Sequence, residues 1–174
     1  MKHEIRLSGS GGQGLITAGI ILARAAALFD GKNAVQTQSY GPEARGGASK
    51  AEVIISDAEI NYPKVRTPDV LVALTQESLN KYIKDVKSNA VIIVDSMLVK
   101  KPPQGEFRVY TLPIIHTASD IVGSILTANI VTLGVLNKIY PLVTDDALIK
   151  TVTEMFSSKS ADMNIKALKE GARL

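Results

Sequence analysis

Residues 6–23, RLSGSGGQGLITAGIILA, read as the end of a strand, a glycine turn and the start of a helix. Alternation over Glu4–Ser8 predicts a short strand, and the Ala-, Ile- and Leu-rich run from Leu15 to Phe29 predicts a helix. Asp30-Gly31 is a C-terminal stop for that helix. Between them, Gly9, Gly11 and Gly14 spell G-x-G-x-x-G. Strand, glycine turn and helix in this order open an α/β domain.

The rest of the chain continues the alternation. Strands are expected at Ala34–Tyr40, Ala48–Ile55, Val70–Leu74, Ala90–Asp95 and Phe107–Leu112. Val70–Leu74 and Ala90–Asp95 are nearly unbroken apolar runs, the pattern of strands covered on both faces. Helices are expected at Gln76–Lys84, capped by Thr75, then at Ser119–Ile139, Thr144–Phe156 and Ala161–Lys169. The second and third strands flank a short loop, too short to join parallel neighbours, so an antiparallel pair is expected there. The expectation is one three-layer α/β/α domain over residues 1–174, with a mostly parallel sheet made mixed by the third strand.

Composition narrows the function classes. With 174 residues, 45% hydrophobic and 21% charged, the chain is an ordinary globular domain. A net charge of +3 with no block of like charge, together with 5% aromatics, gives little support for nucleic-acid binding. There is no cysteine, which excludes disulfides, cysteine-held iron–sulfur clusters and thiol catalysis in this chain. His3 and His116 are the two histidines, and both are read as structural or solvent-facing, with no metal site. The first residues enter a strand without the pattern of a signal peptide, so a cytoplasmic location is expected. Residues 121–137 carry no charge and approach the roughly 20 residues of a membrane span. Ser124, Thr127, Asn129, Thr132 and Asn137 are scattered round that stretch, however. It is read as a helix buried in the domain and against another subunit, not as a membrane helix.

The glycine turn invites a dinucleotide reading, and one element of that reading is absent. In a dinucleotide-binding βαβ unit the helix N-terminus faces the pyrophosphate, and an acid at the end of the second strand binds the ribose. Here the second strand ends QTQSY, Asp30 precedes it and Glu43 lies beyond it. Two readings of the turn stand: a packing device that only lets helix and strand approach, or a contact to an anionic ligand or a partner's cofactor.

The loop SYGPEARGG, around residues 39–47, carries the more specific signal. Tyr40, Glu43 and Arg45 are able to fix a polar ligand or a facing chain, and the Arg45 guanidinium is a planar fork for carboxylate or phosphate. An exposed turn with an internal Glu43–Arg45 pair is the plainer alternative.

GSGGQGLITAGIILARAA, QTQSYGPEARGGASKAEVIISDAEINYPKV and PDVLVALTQES together resemble the gamma subunit of 2-oxoacid:ferredoxin oxidoreductases, most of all the 2-oxoglutarate type. The resemblance is specific over residues 4–82 and looser to Tyr140. It implies an accessory subunit of a multisubunit enzyme that converts a 2-oxoacid, with coenzyme A, to acyl-CoA, CO2 and reduced ferredoxin. It implies thiamine diphosphate with magnesium between partner alpha and beta subunits, and iron–sulfur clusters for electron transfer to a ferredoxin-like subunit or free ferredoxin. This chain has neither cysteine nor the G-D-G…N motif for thiamine diphosphate, so it is expected to hold no cofactor and to be inactive alone. No catalytic residue is assigned to it. Gly9, Ser10, Gly11, Gly12, Gln13, Gly14, Tyr40, Gly41, Glu43, Arg45 and Gly46 are expected to face coenzyme A or the shared active site. The alternatives are a gamma-type subunit of a pyruvate, branched-chain 2-oxoacid or indolepyruvate oxidoreductase serving only in assembly, and a free-standing dinucleotide-binding protein.

Overall fold

The computed structural model describes residues 1–39 and 47–174. Among them, six strands form one sheet: β1 (Lys2–Ser10), β2 (Asn33–Ser39), β3 (Ala48–Ser56), β4 (Val70–Ala73), β5 (Val91–Asp95) and β6 (Arg108–Leu112). Their order is β2-β3-β1-β4-β5-β6. β1, β4, β5 and β6 run parallel, whereas β3 lies antiparallel between β2 and β1. The sheet is mixed, as expected, and β3 is the strand that makes it so.

Helices cover both faces. They are α1 (Leu15–Arg24, continued by a wider π-type turn over Ala25–Phe29), α2 (Gln76–Tyr82), α3 (Ile114–His116, continued likewise over Thr117–Val122), α4 (Ala128–Ile139), α5 (Asp145–Met155) and α6 (Ser158–Arg173). Alternation along β1 sends Ile5 and Leu7 into the larger core with α1, α4, α5 and α6. The intervening Arg6 faces the other way, toward α2. β4 and β5 feed both layers: Val70, Val72, Val91 and Ile93 enter the larger core, and Leu71, Ala73, Ile92 and Val94 enter the smaller one. That double burial is why both strands read as unbroken apolar runs.

Thr75 caps its helix as expected, and Thr144, expected as the first residue of a helix, is its cap. The Thr75 hydroxyl accepts the Ser78 N–H at 3.2 Å and starts α2. The Thr144 hydroxyl accepts the Ala147 N–H at 3.2 Å and starts α5.

The expected single helix over Ser119–Ile139 is not formed. A helical stretch begins earlier, at Ile114, and ends at Gly123, whose φ of +96° is left-handed. The Ala118 carbonyl accepts the N–H of both Gly123 and Ser124, at 3.1 and 2.9 Å, and Lys166 Nζ donates to the freed Ile121 carbonyl at 2.7 Å. The chain restarts through a 3-10 turn at Ile125–Thr127 into α4. α4 is buried on all sides from Ala128 to Asn137, as an apolar all-round helix requires. The exposed apolar side chains of this region lie at the break instead, at Ile121, Ile125 and Leu126. No helix among the described residues is long and apolar enough to cross a membrane.

Candidate functional site

The C-terminal ends of β1, β2, β4, β5 and β6 share one edge of the sheet. In open α/β sheets that edge is where ligands bind. Ser10 closes β1 there, opposite Ala48 of β3, and Ser39 closes β2 opposite Lys50. The glycine turn and the two ends of the 39–47 loop therefore lie side by side. Tyr40, Gly41, Glu43, Arg45 and Gly46 fall outside the described residues.

The turn itself is built by glycine conformation and by one amide. Gly12 and Gly14 have φ of +87° and +72°, which side chains rarely adopt. Gly14 is the N-cap of α1 and offers no side-chain cap, so the first N–H groups of α1 lack the usual partner. The Gln13 side chain turns back: its Oε1 accepts the Ser10 N–H at 2.8 Å. It then lies over Gly9, where a Cβ would collide with that oxygen and sit 2.9 Å from Leu15 Cδ1. Gly9 is thus a packing position, buried beneath Gln13. Gly11 and Gly12 are exposed, and Ser10, Gln13 and Gly14 are half-buried.

A cleft of 310 Å³ opens between the turn and the β2–β3 ends, lined by Ser10, Gly12, Gly14, Ile16, Ser39 and Ser49 among others. It carries hydroxyls and an open helix start, and no carboxylate among its described lining residues. That surface suits an anionic, oxygen-rich group at the positive end of a helix dipole. Its volume fits one portion of a large ligand, not the whole of a cofactor-sized molecule. Ser39, Ser49 and Asn129 were not legible as site residues. The two serines reach the cleft only through the β2–β3 pairing, and Asn129 meets Gly14 across 115 residues, its Nδ2 donating to the Gly14 carbonyl at 3.1 Å.

The remaining candidates separate from this edge. Asp30 accepts the Thr144 N–H and hydroxyl, each at 2.7 Å, and so fastens the far end of α1 to α5. β3 also stands between β1 and β2, so the adjacent parallel pair of a dinucleotide-binding unit is not formed. His3 Nδ1 lies 2.8 Å from the Tyr140 hydroxyl, and burial lowers the pKa of His3. His116 Nδ1 lies 3.2 Å from Asp120 Oδ2 on an exposed helical turn, so, against the expectation that no carboxylate is spaced to meet either histidine, an i,i+4 partner is present. Among the described residues no group of three or more His, Cys, Asp or Glu side chains is placed to hold a metal.

The class is thereby an α/β domain with an anion-suited cleft at its strand ends and no ribose acid where a dinucleotide enzyme keeps one. The family model of pyruvate ferredoxin/flavodoxin oxidoreductases matches residues 4–174, and the chain belongs to that family. The 2-oxoglutarate synthase subunit KorC of Methanocaldococcus jannaschii is 47% identical over 173 residues, which covers 98% of this chain and 92% of that protein. The crystal structure of a keto/oxoacid ferredoxin oxidoreductase gamma subunit from Geobacter sulfurreducens matches with a TM-score of 0.92 at 46% identity, covering 99% of this chain and 95% of that one. The 2-oxoglutarate:ferredoxin oxidoreductase of Magnetococcus marinus, solved with 2-oxoglutarate, coenzyme A and succinyl-CoA bound, shares the fold. Its TM-score is 0.87 at 21% identity, and the match covers 99% of this chain but 30% of that longer one.

Proposed function

We propose that the chain works as the gamma subunit of a 2-oxoglutarate:ferredoxin oxidoreductase and that its strand-end cleft contacts coenzyme A. It is a subunit of an oxidoreductase complex. The observation that carries the coenzyme A contact is the cleft at the start of α1, with helix N–H groups that Gly14 leaves without a side-chain cap, serine hydroxyls and no carboxylate among its described lining. A phosphate of coenzyme A is the group this chemistry recognises. Arg45, from the loop beginning beside Ser39, supplies a further guanidinium for a coenzyme A phosphate or the distal carboxylate of 2-oxoglutarate.

Residues 1–174 act as one gamma-type domain. Decarboxylation and electron transfer belong to thiamine diphosphate with magnesium and to iron–sulfur clusters on partner alpha, beta and ferredoxin-like chains. This chain has no cysteine for a cluster and no metal set among its described residues. The complex is cytoplasmic. Leu126, 82% exposed beside the half-exposed Ile125, supports docking of this subunit against an apolar face of a partner.

Gly12→Ala tests the cleft. A Cβ at Gly12 meets none of the described residues within 4 Å, so the fold survives, at about 1–2 kcal/mol for the left-handed φ. In the assembled complex the apparent KM for coenzyme A should rise about tenfold while that for 2-oxoglutarate holds. A change confined to 2-oxoglutarate, or no change in either, would remove coenzyme A from this cleft.

A further inference from the structure

We infer that Asn129 is the positioning residue of the glycine turn, and that coenzyme A affinity depends on the hydrogen bond it donates to Gly14. The inference rests on the coenzyme A reading of the cleft. Asn129 is the second residue of α4 and is buried. Its Nδ2 donates to the Gly14 carbonyl at 3.1 Å, and its Oδ1 accepts the Ile130 N–H at 2.9 Å. The same Gly14 carbonyl accepts the Ala18 N–H at 3.1 Å within α1. Two donors on one oxygen fix the plane of the Gly14–Leu15 peptide.

Peptide planarity carries that constraint to the cleft. In a trans peptide the N–H points opposite to the carbonyl, so fixing the Gly14 oxygen also fixes the Leu15 N–H at the open start of α1. Gly14 and Leu15 both line the cleft. The contact is close as well as directed: a Cβ at Gly14 would lie 2.8 Å from Asn129 Nδ2 and 3.1 Å from its Cγ. Gly14 has a φ of +72°, so the turn rests on Asn129 from behind while its front faces the cleft. The turn is pre-organised from α4, and a pre-organised donor set needs less ordering when the ligand arrives.

A purely structural asparagine would affect stability and every kinetic constant together. Two substitutions separate the roles. Asn129→Asp keeps an acceptor for the Ile130 N–H, and its charge suits the first turn of α4, so the fold is retained. It loses the donor to Gly14 and sets a carboxylate against that carbonyl. Asn129→Ala removes both bonds but keeps a good helix former.

The experiment measures steady-state kinetics of the assembled complex carrying each variant, with the melting temperature of the chain alongside. Asn129→Asp should raise the apparent KM for coenzyme A about tenfold, with Asn129→Ala raising it less. The KM for 2-oxoglutarate and the kcat at saturating coenzyme A should stay near those of the parent, while the melting temperature of the Asp variant falls because a buried carboxylate then faces the Gly14 carbonyl. An unchanged coenzyme A KM in both variants overturns the inference, as does a uniform loss of all constants that follows a lowered melting temperature. Gly12→Ala is run in parallel. If it raises the coenzyme A KM and the Asn129 variants do not, positioning by Asn129 fails and the cleft reading stands. If Gly12→Ala leaves it unchanged, the cleft reading itself fails, and the inference with it.

Discussion

Arg6→Met should destabilise the chain by about 3 kcal/mol, the largest loss expected from any single side-chain replacement proposed for this protein. Arg6 is 2% exposed in the middle of β1. Its Nε donates to Glu52 Oε1 at 2.8 Å, and its Nη1 donates to Asp85 Oδ1 at 2.5 Å and to the Tyr82 carbonyl at 3.5 Å. The guanidinium also lies over the Tyr82 ring, 5.5 Å from its centroid. Burial opposes its charge, but the bonds to Asp85 and Glu52 outweigh burial and hold its pKa above the usual value.

The cost arises from what remains after the exchange. Glu52 is also buried, and losing Arg6 leaves it, among the described residues, with Lys50, 3.0 Å away, as its remaining ion-pair partner. Breaking a buried pair from one side costs about 3–5 kcal/mol, and the Lys50 contact places this case at the low end. For a domain of this size the melting temperature should fall by roughly 6–12 °C. Adding Glu52→Leu removes the stranded carboxylate and should recover part of the loss. Denaturant unfolding of the two variants measures both effects. Equal stability of Arg6→Met and the parent would show that the network contributes nothing net.

The second large effect lies where α4 crosses α6. A Cβ at Gly134 would collide with the Leu168 carbonyl and sit 2.9 Å from the Ala172 N. A Cβ at Gly171 would collide with the Val131 carbonyl oxygen and sit 3.0 Å from its carbon. The two helices therefore touch backbone to backbone at this crossing. Helix propensity favours alanine over glycine by about 1 kcal/mol, but the obstructing atoms are main chain and have no rotamer to change. Separating the helices opens the core around Val131 and Leu168. Overpacking of this kind costs about 1–3 kcal/mol or more, so Gly171→Ala should lose about 2 kcal/mol net. The Gly134→Ala/Gly171→Ala pair should lose less than the sum, because one separation relieves both contacts. A stabilised Gly171→Ala would contradict the close crossing.

What was legible in the sequence was what local chemistry decides. The apolar runs of β4 and β5, the Thr75 cap and the G-x-G-x-x-G turn each state their conformation within a few residues. The antiparallel β2–β3 pair follows from the shortness of its connection. Long-range partners were not legible. Nothing near residue 48 indicates that β3 inserts between β1 and β2, yet that insertion separates the fold from a dinucleotide-binding unit. Gly123 interrupts a continuous apolar stretch because the Ala118 carbonyl takes two N–H donors and Lys166 reaches in from α6. α6 runs from Ser158 to Arg173, beyond the expected Ala161–Lys169, because its apolar face continues along α4 through Gly171. At the site, the motif located the turn, but the inward fold of Gln13 and the support from Asn129 come from tertiary packing.

On the proposed function, this chain is one part of an oxidoreductase complex and is expected to be inactive alone. The most direct measurement is 2-oxoglutarate oxidation by the partner chains, purified with and without this subunit, following formation of succinyl-CoA and reduction of an electron acceptor. The expected result is no turnover by this chain alone, little coenzyme A-dependent product from the partners alone, and recovery when the subunit is restored. Undiminished coenzyme A-dependent product without it, or turnover by the isolated chain, would contradict that role.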